Sequence, residues 1–205
     1  MSQNENVISL KELYDFMQDH DEKAIRIDRG SLPGKEYCDL CNRLAGVINE
    51  AQGFYLWGKY DARGYWHSIY LGKAGFGETK SLKKRILEEL KDERCCLWRS
   101  RFDETQLHEI RDRIHNGKYE RSWNRAMLKA GVTHIVWVPA PAIAPQNISR
   151  IEADLIEALN PKANLQRPTP TNTVQTEATR IFEGFRQTIH AARGTSFRLS
   201  LEGGD

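Results

Sequence analysis

Two apolar runs flanking Asp61-Ala62-Arg63-Gly64 constrain the fold of this chain more than any other stretch. Segments rich in Ile, Leu and aromatic residues around a Gly-bearing tetrapeptide read as antiparallel strands joined by a tight turn. The hairpin sets Tyr55 on one strand beside Tyr70 on its neighbour. Ala74-Gly75-Phe76-Gly77 is too rich in glycine to prolong the second strand. Ser81 then offers its hydroxyl as N-cap to a helix whose Leu82, Ile86 and Leu90 recur at helical spacing. Arg85 and Glu89, one turn apart, share a face of that helix.

The rest of the chain supplies elements to surround this unit. Ser9-Leu10-Lys11-Glu12 has capping-box form, and Leu10, Leu13, Tyr14 and Met17 follow at helical spacing. Leu32-Pro33-Gly34 breaks the chain, and Tyr37, Leu40, Cys41, Leu44, Val47 and Ile48 mark a second helix ending near Asn49. Val132–Val138 is an almost unbroken apolar run with β-branched residues, the pattern of a central strand buried on both faces. A helix with Ile151, Leu155 and Leu159 inward follows and stops at Asn160-Pro161. A last amphipathic helix spans 176 to 192, and the Gly-bearing tail beyond 194 is expected to be mobile. The expectation is one α/β (α+β) fold with a small antiparallel three-stranded sheet flanked by helices. It divides into a helical N-terminal extension (1–50), a core (51–170) with a helical insert (91–131), and a C-terminal helix and tail (171–205).

Charge is informative by its distribution, since the formal net charge is only +2. Residues 1–50 carry 6 basic and 10 acidic side chains, a net of −4, whereas residues 51–129 carry 17 and 11, a net of +6. The excess falls on the hairpin unit and the insert, as expected for a face that meets phosphates. Within the insert, Leu107, Ile110 and Ile114, then Trp123, Met127 and Ala130, form apolar stripes. The other faces present Arg94, Arg99, Arg101, Arg111, Arg113, Lys118, Arg121, Arg125 and Lys129 with Trp98 and Tyr119 between them. Arginine forks suit phosphate and the guanine major-groove edge, so this segment is the expected recognition element.

Four cysteines, Cys38 and Cys41 and the adjacent Cys95 and Cys96, lack the second clean ligand pair of a zinc site and are expected to be reduced thiols. No run of about 18 apolar residues and no leader-like segment occurs, so a cytoplasmic protein without a membrane span is expected.

Singly, each polar residue of the hairpin unit has an ordinary explanation: strand tyrosines pack, and an Arg with a Glu at i+4 forms a surface pair. As an ordered set they resemble the GIY-YIG nuclease family: Gly53-Phe54-Tyr55, then Tyr70-Leu71-Gly72, Arg85 in the next helix, Glu152 in a late helix, and Asn164 after Pro161. The resemblance covers roughly 53 to 167. It departs at Phe54 and Leu71, where the family carries Ile, and at Glu89, where it usually carries His or Tyr. Tyr-Leu-Gly-Lys is similar to the restriction-endonuclease branch, in which a lysine such as Lys73 assists the water.

The resemblance implies a metal-dependent endonuclease acting on DNA, with a restriction or defence role and a homodimer on DNA. Tyr55 would be the general base, its pKa lowered by Lys73; Tyr70 would orient water or phosphate; Arg85 would hold the non-bridging oxygens. Glu152 would hold Mg²⁺ or Mn²⁺, and Asn164 would contact substrate. Glu152 also has a capping reading, since Ser149-Arg150-Ile151-Glu152 has capping-box form. Glu89 is expected to turn outward and pair with Arg85, or else to act as a second metal ligand or proton acceptor. The alternatives are a nucleic-acid-binding module whose catalytic set has decayed, or a nuclease of RNA or branched DNA.

Overall fold

The computed structural model describes residues 6–19, 34–76, 81–92, 131–140, 143–164 and 175–195. Their elements are β1 (Val7–Ser9), α1 (Lys11–Gln18), α2 (Gly34–Ala45), β2 (Gly53–Tyr60), β3 (Trp66–Ala74), α3 (Leu82–Asp92), β4 (His134–Pro139), α4 (Ile148–Leu159) and α5 (Gln175–Ala192). Short 3₁₀ turns precede α4 and follow α5. The sheet is antiparallel in the order β1-β4-β2-β3. It thus has four strands rather than three. The extra one is the stretch Val7-Ile8-Ser9, which pairs with Val136, Ile135 and His134 inside what reads by sequence as a helical extension.

The hairpin forms where expected. Asp61 Oδ1 accepts from the backbone N–H groups of Arg63 (2.9 Å) and Tyr65 (2.8 Å), an Asx-type brace that closes the turn. A bulge sits partway along, where Trp57 and Gly58 of β2 face Tyr70 and Ser68 and leave Ile69 as the extra residue. The strand alternation divides the core. Tyr55, Trp57, Ile69, Ile135 and Trp137 pack with α1, α2 and α3. Phe54, Leu56, Leu71 and Val136 pack with α4 and α5 on the other face. β4 is central and buried on both sides, as its apolar run requires.

Some boundaries differ from the sequence expectation. Ser9 does not cap α1 as the N-cap residue; Leu10 holds that position, and Ser9 Oγ accepts from Lys11 N at 3.3 Å. α2 stops at Ala45 and tightens into i→i−3 turns, Gly46 N on Arg43 O and Ile48 N on Ala45 O (both 3.1 Å), and Val47 is 63% exposed. Residues 193–195 form an ordered turn, tethered by Thr195 to His134. Tyr60 also donates to the Ile189 carbonyl, tying the hairpin tip to α5. No helix among the described residues is long and apolar enough to cross a membrane.

His134 is buried in β4, with Nδ1 2.8 Å from Thr133 Oγ1 and Nε2 3.2 Å from Thr195 Oγ1, and the rings of Tyr60 and Trp66 lie edge-on to it. Burial pushes its pKa from 6.5 down to about 4. Above pH 6.5 the imidazole is neutral folded and unfolded. As pH falls from 6.5 towards 4 the unfolded chain binds a proton that the folded one refuses, so stability is lost across that window, up to about 3 kcal/mol. Thermal melts should therefore show a larger drop in Tm between pH 7 and pH 4.5 for the native chain than for His134→Gln; equal drops would show that His134 stays out of the titration.

Candidate active site

The motif glycines are explained by close approach. A Cβ on Gly72 would lie 2.3 Å from the Tyr55 phenol oxygen, and one on Gly53 would lie 2.3 Å from the Val138 carbonyl oxygen. The first lets the Tyr55 ring lie flat across β3; the second lets β4 close against β2. Gly-x-Tyr and Tyr-x-Gly on neighbouring strands are therefore a packing device that seats one phenol.

That phenol ends in a buried polar cluster. The Tyr55 hydroxyl donates to Glu89 Oε1 at 2.6 Å, Arg85 Nε lies 3.0 Å from the same oxygen, and Arg85 Nε approaches the phenol oxygen at 3.5 Å. The Tyr70 ring centroid is 6.4 Å from that of Tyr55. α3 positions both charged residues: Ser81 Oγ accepts from Lys84 N at 3.3 Å at its start, while Leu82, Ile86 and Leu90 bury its inner face. Glu89 does not turn outward. It is 4% exposed, because position 89 falls on the same helical stripe as Leu82 and Ile86. A carboxylate so placed stays charged only with partners, and it has a cation and a phenol. Arg85, one-third exposed, forms the outer side of the cluster. Burial opposes its charge, but the hydrogen bond to Tyr55 and the negative charge of Glu89 outweigh that and raise its pKa.

Lys73 does not serve Tyr55. Burial, and then the Glu89 charge, push the Tyr55 pKa well above 10, opposite to the lowering expected from a neighbouring lysine. Lys73 pairs across the strands with Phe54, whose neighbour Tyr55 points to the other face, so its side chain belongs to the α4 side of the sheet. There its Nζ donates to Glu152 Oε2 at 2.6 Å. Glu152 is free of the capping reading: α4 begins at Ile148 with Asn147 at the N-cap and no side-chain cap, so Ser149 is already inside the helix. The six expected residues thus form two clusters, Tyr55–Tyr70–Arg85–Glu89 on one face and Lys73–Glu152 on the other. Both are anchored at the same end of edge strand β3, where Gly72 and Lys73 are adjacent.

Asn164 has a structural duty. Its Oδ1 accepts from Leu71 N at 2.8 Å and its Nδ2 donates to Leu71 O at 2.9 Å. With Ala163 N on Ile69 O (2.7 Å) and Lys162 N on Ser68 O (3.3 Å), residues 162–164 dock along the open edge of β3. Its amide is committed to the strand rather than offered to a substrate. Arg99, Arg101, Arg111, Arg113, Arg121 and Arg125 lie outside the described residues. Among the described residues no group of three His, Cys, Asp or Glu is placed to hold a metal ion.

Two stability tests follow from this geometry. Asn164→Ala strips Leu71 of both partners and should cost about 1–3 kcal/mol in urea unfolding. Arg85→Ala takes one cation from a buried carboxylate and should cost on the order of 3 kcal/mol, most of it recovered in Arg85→Ala/Glu89→Gln. Additive losses in that cycle would mean the two side chains are not coupled. No family model matches the chain, and no curated protein or solved structure matches it either, so a function is to be argued from these residues.

Proposed function

We propose that the chain hydrolyses phosphodiester bonds in nucleic acid, DNA foremost, with the end of β3 as its active site. The observation that carries this reading is a pair of presented cations: Arg85 and Lys73 are each one-third exposed, and each is backed by a less exposed carboxylate, Glu89 and Glu152. A phosphate arriving there can replace a carboxylate as the cation's partner. The guanidinium then binds two non-bridging oxygens, and Lys73 adds a point charge.

Tyr55 needs no lowered pKa if it works as a relay. Its proton already lies on a 2.6 Å bond to Glu89. When the attacking water is oriented by Tyr70 and polarised by the phosphate, its proton passes to the Tyr55 oxygen as the Tyr55 proton passes to Glu89. No free phenolate forms; the water oxygen makes the new bond to phosphorus, the leaving strand oxygen departs with the P–O bonding pair and takes a proton from solvent, and Glu89 later returns its proton to solvent.

The donor set suits a hard divalent ion held by few protein groups. In the free protein Lys73 takes Glu152 Oε2, and the Glu152 carboxylate would be the one protein group to hold Mg²⁺ or Mn²⁺, with waters and the phosphate as the other ligands. Such an ion, when bound, neutralises charge on the attacked phosphate. The arginine-bearing segment 91–131 would supply target recognition, and a double-strand break would need two copies acting together, hence a homodimer on DNA. The burial of Tyr55, 1% exposed, favours the second reading, a nucleic-acid-binding module whose chemistry has decayed.

Cleavage assays separate the two. On plasmid DNA, single-stranded DNA and RNA with Mg²⁺, the native chain should cut at least one substrate, and Glu152→Gln should abolish cutting while melting temperature and DNA affinity stay near native. Binding without cleavage of any substrate would establish the decayed module. Glu89→Gln should slow single-turnover cutting by about 10²-fold or more, with no rescue by added Mg²⁺, because it removes the proton acceptor. Faster cutting would make Glu89 a brake on Arg85, and rescue by metal would make it a ligand.

A further inference from the structure

At the turn end of the hairpin, opposite the end that carries Lys73, a cleft of about 660 Å³ opens between the start of β3 and α5. One wall is aromatic. Tyr65, immediately after the turn, is 64% exposed, Trp66 stands beside it with Tyr60 edge-on at 5.0 Å, and Phe182 faces them from α5. The other wall is polar: Gln187, His190 and Arg193 follow along α5 and the turn after it. Arg193 reaches across to the hairpin, where its Nη2 donates to the Arg63 carbonyl at 3.2 Å. Arg186 adds a second cation, paired with Glu183 at 3.1 Å. A volume in this range fits a small organic ligand.

We propose that this cleft captures one unpaired nucleotide of the nucleic-acid substrate, its base stacked on Tyr65 and Trp66 and its phosphate held by Arg193 and Arg186. The proposal rests on the nucleic-acid reading above. Each half of the ligand has its counterpart: sequence-tolerant stacking needs an exposed flat ring, which Tyr65 presents beside the half-buried Trp66, and a base edge needs a group that both donates and accepts, which the Gln187 amide supplies. Two arginines against one glutamate leave this wall positive, as a phosphate requires. An apolar partner would cover the Arg193 guanidinium without offering it an anion, whereas a nucleotide brings one.

Placement supports the link to the active site. Trp66 and Phe182 pack on the core cluster shared with α4, the same face of the sheet that holds Lys73 and Glu152. Trp66 and Lys73 stand near opposite ends of β3, facing Tyr60 and Phe54 of β2, six strand positions or about 20 Å apart.

The test uses the full chain in EDTA, so that nothing is cut, with fluorescence anisotropy of a labelled single-stranded oligonucleotide and of a duplex bearing one unpaired nucleotide. Tyr65→Ala should weaken binding about ten-fold, Tyr65→Phe should keep it by retaining the ring, and Arg193→Gln should weaken it and flatten its salt dependence. The exposure of Tyr65 makes an unfolded variant an unsuitable explanation, and a melt of each protein checks that. Abasic substitution should reduce affinity at one position of the oligonucleotide and leave it near native at the others. Oligonucleotide binding that is equal in the native chain and in all three variants overturns the cleft and leaves the active-site reading standing. No binding of any nucleic acid at low salt overturns both. An apolar fluorescent probe that binds the native chain, is lost in Tyr65→Ala and is not displaced by oligonucleotide overturns the proposal in favour of an apolar partner.

Discussion

A carboxylate buried in an apolar helix face is what the arrangement around β2, β3 and α3 depends on. Glu89 lies on the stripe of Leu82, Ile86 and Leu90, where a hydrocarbon side chain would pack without cost. Its charge is tolerated because Tyr55 reaches it from the sheet and Arg85 reaches it from one turn earlier on its own helix. This fixes the depth at which α3 sits on the sheet, since the phenol must arrive at the carboxylate through the space that Gly72 leaves open. An apolar residue at 89 would keep α3 on the core but leave the Tyr55 hydroxyl buried without an acceptor, which is itself costly. Glycine, tyrosine, arginine and glutamate are thus one mutually dependent set, whatever chemistry they perform.

The outer edge of β3 poses a second constraint. An edge strand exposes unpaired N–H and C=O groups, and this one is sealed by residues 162–164, with the Asn164 amide acting as a short substitute strand on Leu71. The sealing segment leaves α4 through Asn160, whose left-handed backbone (φ 44°) ends the helix. Because α4 is pinned at its C-terminal end in this way and packs Ile151 and Leu155 into the core, Glu152 is delivered to Lys73 from 79 residues away. The ion pair is a consequence of that docking rather than its cause, since a pair with both members a quarter to a third exposed contributes little by itself.

Much of this was legible in the residues. The hairpin, α3, the central β4 and α5 announce themselves by period, because each buries a face large enough to need many apolar residues. β1 does not: three residues cannot display a period of two, and Val7-Ile8-Ser9 becomes a strand only because β4 offers it an edge. α2 shows the converse, its apolar spacing running on to Val47 after the helix has ended at Ala45. The burial of Glu89 was present as a helical spacing from Leu82 and Ile86, but an i,i+4 pairing with Arg85 invites the surface explanation first. The committed amide of Asn164 and the Lys73–Glu152 pair are tertiary facts, created by docking of segments far apart in sequence.

The division of the polar residues between two faces bears directly on how a substrate would be held. Strand alternation puts the Tyr55 ring over Gly72 on one side and sends the side chain of the next residue, Lys73, to the other, so the two clusters are separated by the thickness of a single strand. Among the described residues, 162–164 close the edge of β3 as far as Leu71, and the Gly72–Ala74 end is where both faces are reached together. A phosphate engaging Arg85 and Lys73 at once must therefore straddle the sheet edge there rather than lie on either face. Arg85 would have to release the Tyr55–Glu89 pair to do so, and that release is also what would bring water to the phenol. Substrate binding and exposure of the proton path would then be one event, which keeps a buried tyrosine compatible with catalysis.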